Sequence, residues 1–265
     1  MKINKQVFGT TEWASHNKNY ISGCSNGCKY CYACAMAIRF GRKSIDNWQE
    51  EAVDYHRLNK KYRKVAGTIM FPSSHDITPS NLLHSIVFLE KLLSVGNKVL
   101  IVSKPHFEVI EAICNAFPDY KENILFRFTI GSMNSDILKF WELKAPHYEE
   151  RKKCLIYAFE KGFMTSVSCE PMLDNNTVEL VKDLEPYITD AIWIGKVNNL
   201  NSILSINGFK DTKTMERANE LLSFQSDSNI RILYNLLSDN PKVKWKESIK
   251  KVIGIEISTI KGSDK

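Results

Sequence analysis

The chain has 265 residues, 43% of them apolar and 25% charged, with a formal net charge of +6. This is an ordinary globular composition, sufficient for one large domain or two small ones, and one domain is the expectation. No apolar run of signal-peptide length opens the chain, and no segment approaches the ~18 consecutive apolar residues of a membrane span, so a soluble cytoplasmic protein with no membrane partner is expected.

Residues 1 to 17 are polar and irregular, with Trp13 as their one bulky anchor. Lys18 to Ser22 reads as a short strand running into a segment that holds four of the seven cysteines, Cys24, Cys28, Cys31 and Cys34. The Ala-rich run after Cys31 has no turn residue before Gly41 and predicts a helix, which makes the cysteine segment a strand-to-helix connection. Asp46 is the expected cap of a further helix through Trp48, Val53 and Tyr55 to about Tyr62.

A strand–helix period follows. Val65 to Pro72 is a buried strand; Thr78 and Pro79 are an N-cap and first helical residue for a helix from Leu82 to Leu93, which Gly96 and Asn97 end. Further strands are expected at Lys98 to Ser103, Ile124 to Ile130, Phe163 to Cys169 and Ala191 to Gly195. Helices are expected at Phe107 to Phe117, Glu149 to Lys161 and Val178 to Leu184, and in the tail at Thr214 to Phe224, Ile230 to Leu237 and Val243 to Val252.

Six strands alternating with helices mean βα units and a parallel sheet. Short apolar strands fit an open doubly wound sheet or a curved barrel wall, and no Gly-x-Gly-x-x-Gly follows the first strand to favour dinucleotide binding. The expected fold is α/β, a partial (β/α)6 TIM-type barrel over residues 1–200 with a helical C-terminal extension, 201–265, packed on it. In such a barrel the strand ends and the loops after them form the active face.

The cysteines carry the chemistry. In a reducing compartment, an odd count with four thiols in eleven residues argues for metal or redox use rather than disulfides. Cys24, Cys28 and Cys31 are spaced C-x3-C-x2-C, so three thiolates can each hold one iron of a [4Fe-4S] cubane and leave the fourth iron open to a chelating ligand. A structural zinc on all four thiolates and a ferredoxin-like electron carrier are the alternatives. Cys34, in the first helical turn, reads as a small buried residue beside the cluster.

This spacing, with Tyr30 before the third cysteine, resembles the radical S-adenosylmethionine superfamily. Segments around Gly67 to Pro79, Leu125 to Ser132, Ala145 to Arg151 and Thr165 to Asp174 resemble short bacterial and phage members related to spore photoproduct lyase. The resemblance implies S-adenosylmethionine on the open iron of a cluster held by Cys24, Cys28 and Cys31. It also implies reductive cleavage to a 5′-deoxyadenosyl radical, hydrogen abstraction from a substrate, and a flavodoxin- or ferredoxin-like electron donor. A nucleic-acid base is the first substrate expected, a peptide or small metabolite the second. Tyr30 belongs to the implied cofactor site. So do Ser73, Ser74 and Asp76, which with His75 stand where the family keeps a Gly-Gly-Glu-like segment; a turn stabilised by Asp76 is the alternative.

Period-two alternation sorts the later strands. Arg127 and Thr129 share a face that points into the barrel, where a guanidinium needs an anionic partner: the cofactor carboxylate or Glu170. Ser166, Ser168 and Glu170 form the next polar face and turn Cys169 toward the helices. Lys104 and Lys196, at strand ends, anchor an anionic group or reach solvent. Glu150 and Arg151 contact the cofactor ribose by family analogy or form a surface pair. Two basic segments are solvated faces or nucleic-acid contacts: Arg57, Lys60, Lys61, Arg63 and Lys64; and Lys242, Lys246 and Lys250, which would share one helix face around Trp245. His56, His84, His106 and His147 have no metal spacing.

Overall fold

The computed structural model describes residues 6–262. In chain order the elements are α1 (Thr10–Trp13), β1 (His16–Asn17), β2 (Ile21–Ser22), α2 (Tyr32–Arg39), β3 (Ala52–Val53), α3 (Tyr55–Asn59), β4 (Thr68–Met70), α4 (Leu82–Leu93), β5 (Lys98–Ser103) and α5 (Phe107–Ala116). These are followed by β6 (Ile124–Thr129), α6 (Ser135–Trp141), α7 (Tyr148–Glu160), β7 (Met164–Cys169), α8 (Thr177–Leu184), β8 (Ile192–Ile194), α9 (Leu200–Ile206), α10 (Thr212–Phe224), α11 (Asp227–Leu237), β9 (Val243–Trp245) and α12 (Glu247–Ile253).

Seven strands form one sheet in the order β1-β4-β5-β6-β7-β8-β9, with every neighbouring pair parallel. The sheet curls into a half-barrel of the TIM type. Alternation along the strands gives it two unlike faces. Val99, Ile101, Phe126, Phe128, Val167, Ile192 and Ile194 enter the main core with Phe88 and Leu92 of α4, Ile113 of α5, Leu155 of α7 and Val181 of α8. Phe126 and Phe128 are fully buried there, each worth about 1.5–3 kcal/mol relative to exposure. The inner face is lined by a small apolar layer, Met70, Leu100, Val102 and Leu125 against Trp13 and Ala14. Above it lie polar side chains. Among the described residues no helix is long and apolar enough to cross a membrane.

Helices α1, α6 and α9 are not expected from the sequence, and three further differences from the sequence reading bear on the site. The first barrel strand is β1, paired with Ile69 and Met70, whereas the segment expected to be that strand supplies β2, in a separate antiparallel ribbon with β3. Tyr20 explains the misreading: it is an anchor, stacked on Phe71 and hydrogen-bonded through its hydroxyl to Ser85 at 2.8 Å. The helix expected from Asp46 is the shorter α3, capped by Asp54, whose Oδ1 accepts the Arg57 N–H at 2.9 Å. The third difference gives the barrel a seventh strand. Val243 to Val252 is not one helix: Val243–Trp245 pairs with Ile192–Ile194, and α12 starts after it. Lys242, Lys246 and Lys250 therefore share no exposed face, and Lys246 is fully buried.

Candidate active site

The ends of the strands open on a cavity of about 600 Å3, within the range of about 300–1,000 Å3 that holds cofactors and substrates. Cys24, Cys28 and Cys31 line one end. From there the wall runs strand by strand through Ser73 to Asp76 after β4, Lys104 after β5, Thr129 on β6, Glu170 after β7, Lys196 after β8 and Glu247 after β9.

The cysteine loop is held from four directions by residues distant in sequence. Asn26 donates to Asp76 Oδ2 at 2.8 Å, and Ser25 donates through N–H and Oγ to Glu51 Oε1 at 3.1 and 2.8 Å. The Lys29 N–H donates to Trp141 O at 2.8 Å, and Cys28 bridges to Glu142. Asn207, ending α9, donates to the carbonyls of Lys29 and Cys31, both at 3.0 Å, and the Lys29 ammonium reaches Thr214 at 3.0 Å. Gly23 permits the entry: its φ is +106°, and a Cβ there would meet the carbonyl oxygens of Trp48 and Glu50.

These thiols fit an iron–sulfur cluster. All three face one cavity, and Cys31 caps α2, its sulfur accepting the Cys34 N–H at 3.4 Å. Burial, followed by the charges of Asp76, Cys28 and Cys31, pushes the Cys24 thiol well above its usual range, and burial takes Cys28 up to about 12 against the pull of Lys104. A metal bound here would hold these thiols ionised. Among the described residues no group of three or more His, Cys, Asp or Glu side chains is arranged to hold a metal ion. Cys34 is buried among Ala37, Trp48 and Cys24, and it does not line the cavity.

A buried polar cluster backs the loop. Glu142 accepts from the Tyr30 hydroxyl through Oε1 and from Arg151 through Oε2, and Lys104 Nζ lies 3.9 Å from Oε1. Burial opposes its charge, yet Arg151, Lys104 and the Tyr30 hydroxyl hold Glu142 below the usual carboxylate range. Arg151 is fully buried and also donates to the carbonyls of Pro146 and Thr129, at 2.8 and 2.9 Å. It is thus neither a surface residue nor a ribose contact. Glu150 accepts the Phe107 N–H at 2.9 Å, and neither residue lines the cavity. Sequence reading missed Glu142, Asn26, Glu51 and Asn207; the one signal for Glu142 is an acid between the bulky Trp141 and Leu143.

The remaining candidates divide. Tyr30, Ser73, Ser74, Asp76, Lys104 and Glu170 line the cavity. Asn19 Oδ1 accepts the N–H groups of Ser73 and Ser74 at 2.8 and 3.2 Å, and its amide donates to Ser73 Oγ at 2.8 Å. Asp76 is tied to the protein at both oxygens, accepting from Ser103 and the Ile77 N–H at Oδ1 and from Asn26 and the Lys104 N–H at Oδ2. Its carboxylate pins the turn. Arg127 points into the barrel but is not in the cavity lining. Its anionic partner is Asp190 at 2.9 Å, neither of the two expected, because Asp190 stands at the foot of β8, one strand beyond β7 in the sheet. Trp13 and Trp193 flank the guanidinium at 4.8 and 5.2 Å, and Ser166 accepts from its Nε at 2.9 Å. Ser168 is buried and outside the lining. Cys169 packs in the core on the helix side. Lys196 lines the cavity while pairing with Asp227 at 3.1 Å.

No protein-family model and no curated protein matches the sequence. Solved structures do. Spore photoproduct lyase complexed with dinucleoside spore photoproduct superposes with a TM-score of 0.55 at 14% identity, over 92% of this chain and 79% of that one. A variant of the same enzyme with bound AdoMet and dinucleoside spore photoproduct gives 0.58 at 14% identity over the same shares. Streptococcus suis SuiB bound to S-adenosylmethionine gives 0.52 at 12% identity, over 94% of this chain and 54% of that one. The chain has the fold of these radical S-adenosylmethionine enzymes, the architecture that its cysteine motif implies.

Proposed function

We propose that the chain is a radical S-adenosylmethionine enzyme, with Cys24, Cys28 and Cys31 as ligands of a [4Fe-4S] cluster. The observation that carries this reading is the convergence of the three motif cysteines on the large cavity at the strand ends. When bound, the cluster and S-adenosylmethionine supply reductive cleavage of the sulfonium and a radical able to abstract hydrogen, with the electron coming from a flavodoxin- or ferredoxin-like donor.

The chain's own contribution is placement and exclusion of water. Lys104, beside Cys28 and Glu142, puts a fixed positive charge at the cluster end, suited to the cofactor carboxylate. Ser73 and Ser74, their N–H groups held by Asn19, present hydroxyls to the same space. Met70, Val102 and Trp13 close the floor with apolar surface, which shields a reactive intermediate from solvent.

The test is anaerobic reconstitution. About four irons and four sulfides per chain, with 5′-deoxyadenosine and methionine formed after reduction in the presence of S-adenosylmethionine, are expected. Stoichiometric zinc with no such products would establish the rival reading, a non-catalytic metal protein. A nucleic-acid substrate now has one basic segment behind it rather than two, since Lys246 and Lys250 are buried. For that class, filter binding to single-stranded DNA and RNA should show affinity that falls steeply with salt. Affinity that is absent, or flat across salt, removes it.

A further inference from the structure

One wall of the cavity is built where a segment early in the chain meets one late in it. Helix α1 meets β9 and α12 there: Lys246 Nζ lies 2.5 Å from Glu12 Oε1 and 3.0 Å from the carbonyl of Gly9, and the Glu247 N–H donates to Glu12 Oε2 at 3.1 Å. Lys246 also lies 3.6 Å from Glu170 Oε2, and Glu247 brings a third carboxylate beside Glu170. Glu170 and Glu247 both line the cavity.

Glu247 is the informative residue. It is 6% exposed; Asn198 approaches its Oε1 at 3.4 Å, and Oε2 is buried with no hydrogen-bond partner among the described residues. A buried carboxylate oxygen left unpaired is costly, and because Glu247 lines the cavity a donor bound there would relieve that cost. The surrounding charge fixes the sign of that donor. Lys246, behind the wall, is already engaged by Glu12, and Lys196, which lines this part of the cavity, is drawn off to Asp227 at 3.1 Å. Burial raises the Glu170 carboxyl, against the pull of Lys246 and with the charge of Glu247 adding to it. A phosphate or carboxylate brought here would face the carboxylates of Glu170 and Glu247.

We propose that Glu247, with Glu170 beside it, is the subsite for a cationic nitrogen group of the substrate, an amine or a guanidine. The inference rests on the reading of this cavity as the active site. It favours a small basic metabolite or a basic side chain of a peptide over a nucleic-acid base at this position.

The test is calorimetric titration of the cluster-reconstituted full-length protein, saturated with S-adenosylmethionine and kept without reductant. The probes are butylguanidine, its uncharged counterpart butylurea, and N-acetyl-arginine amide as the peptide-borne form. Butylguanidine or the arginine amide should bind at least about tenfold more tightly than butylurea, and Glu247→Gln should remove that margin, the loss of one buried charge-assisted hydrogen bond. The tighter of the two cations identifies a free or a peptide-borne source. Glu216→Gln, an exposed change on α10, should leave the margin intact. Equal binding of butylguanidine and butylurea, or an unchanged margin in Glu247→Gln, overturns the proposal. A parallel loss of S-adenosylmethionine affinity in that variant also overturns it, by assigning Glu247 to the cofactor. Displacement of butylguanidine by a short single-stranded oligonucleotide overturns it in favour of a base. Failure of the parent reading is separate: the wild-type protein would then bind no S-adenosylmethionine, whatever the cationic probes do.

Discussion

Replacing any one of Cys24, Cys28 or Cys31 with alanine is expected to reduce iron from about four per chain to below about one, and to abolish 5′-deoxyadenosine formation. Cys34→Ala should retain both. The four residues sit within one short loop and helix turn, so a general disturbance of that segment would affect them alike. They differ in direction: three sulfurs face the cavity, while Cys34 packs against Ala37 and Trp48. The loop's position does not rest on the thiols, since Asn26, Ser25, Lys29 and the Cys31 carbonyl are tied by hydrogen bonds to Asp76, Glu51, Trp141, Thr214 and Asn207. The alanine variants should therefore stay folded, within about 1–2 kcal/mol of wild type in denaturant titration before reconstitution. Iron and sulfide analysis with electron paramagnetic resonance of the reduced protein reads the outcome. Loss of iron on Cys34→Ala would place a fourth protein ligand on the cluster and leave no open iron for S-adenosylmethionine.

What was legible in the sequence was what is local. The cysteine spacing, the strand-to-helix connection and the alternation of β5, β6 and β7 are written in residues close together. The strands lie buried on both faces, so their apolar runs stand out against the polar connections. The inward direction of Arg127 and Thr129 and the outward direction of Cys169 followed from period two alone. Partners did not. Asp190 is 63 residues from Arg127 and meets it because β8 lies beyond β7 in the sheet, an adjacency no local pattern encodes. Strand β9 was lost because three residues are too few for alternation to outweigh lysines recurring every four. With it went the recognition that Glu247 belongs to the cavity wall and that Lys246 is buried behind it, since a helix there would have turned Lys246 to solvent. The Ser73 to Asp76 segment was placed correctly at the end of β4, but Asp76 proved to be an internal tether, with acceptors filled by the protein's own donors.

Arg151→Met is expected to lower stability by about 3–5 kcal/mol, the largest single-residue effect on folding at the site. Arg151 has no exposed side-chain surface, and it neutralises Glu142, itself without exposure, while donating to the backbone of Thr129 and Pro146. Methionine fills much of the volume but leaves Glu142 with Lys104, 3.9 Å away, as its nearest cation, and leaves two buried carbonyls without this donor. Arg151→Lys should recover less than half of the loss, because a single ammonium cannot reach three acceptors that the planar guanidinium serves in different directions. The effect extends beyond stability. Glu142 holds the Tyr30 hydroxyl and pairs through its backbone with Cys28, so a displaced Glu142 loosens the cysteine loop from the side that α6 supports. Urea titration gives the stability change, and iron retained after reconstitution of the folded fraction gives the effect on the loop. A loss below about 1 kcal/mol for Arg151→Met would mean that the cluster of Tyr30, Glu142, Arg151 and Lys104 is not the support the geometry makes it.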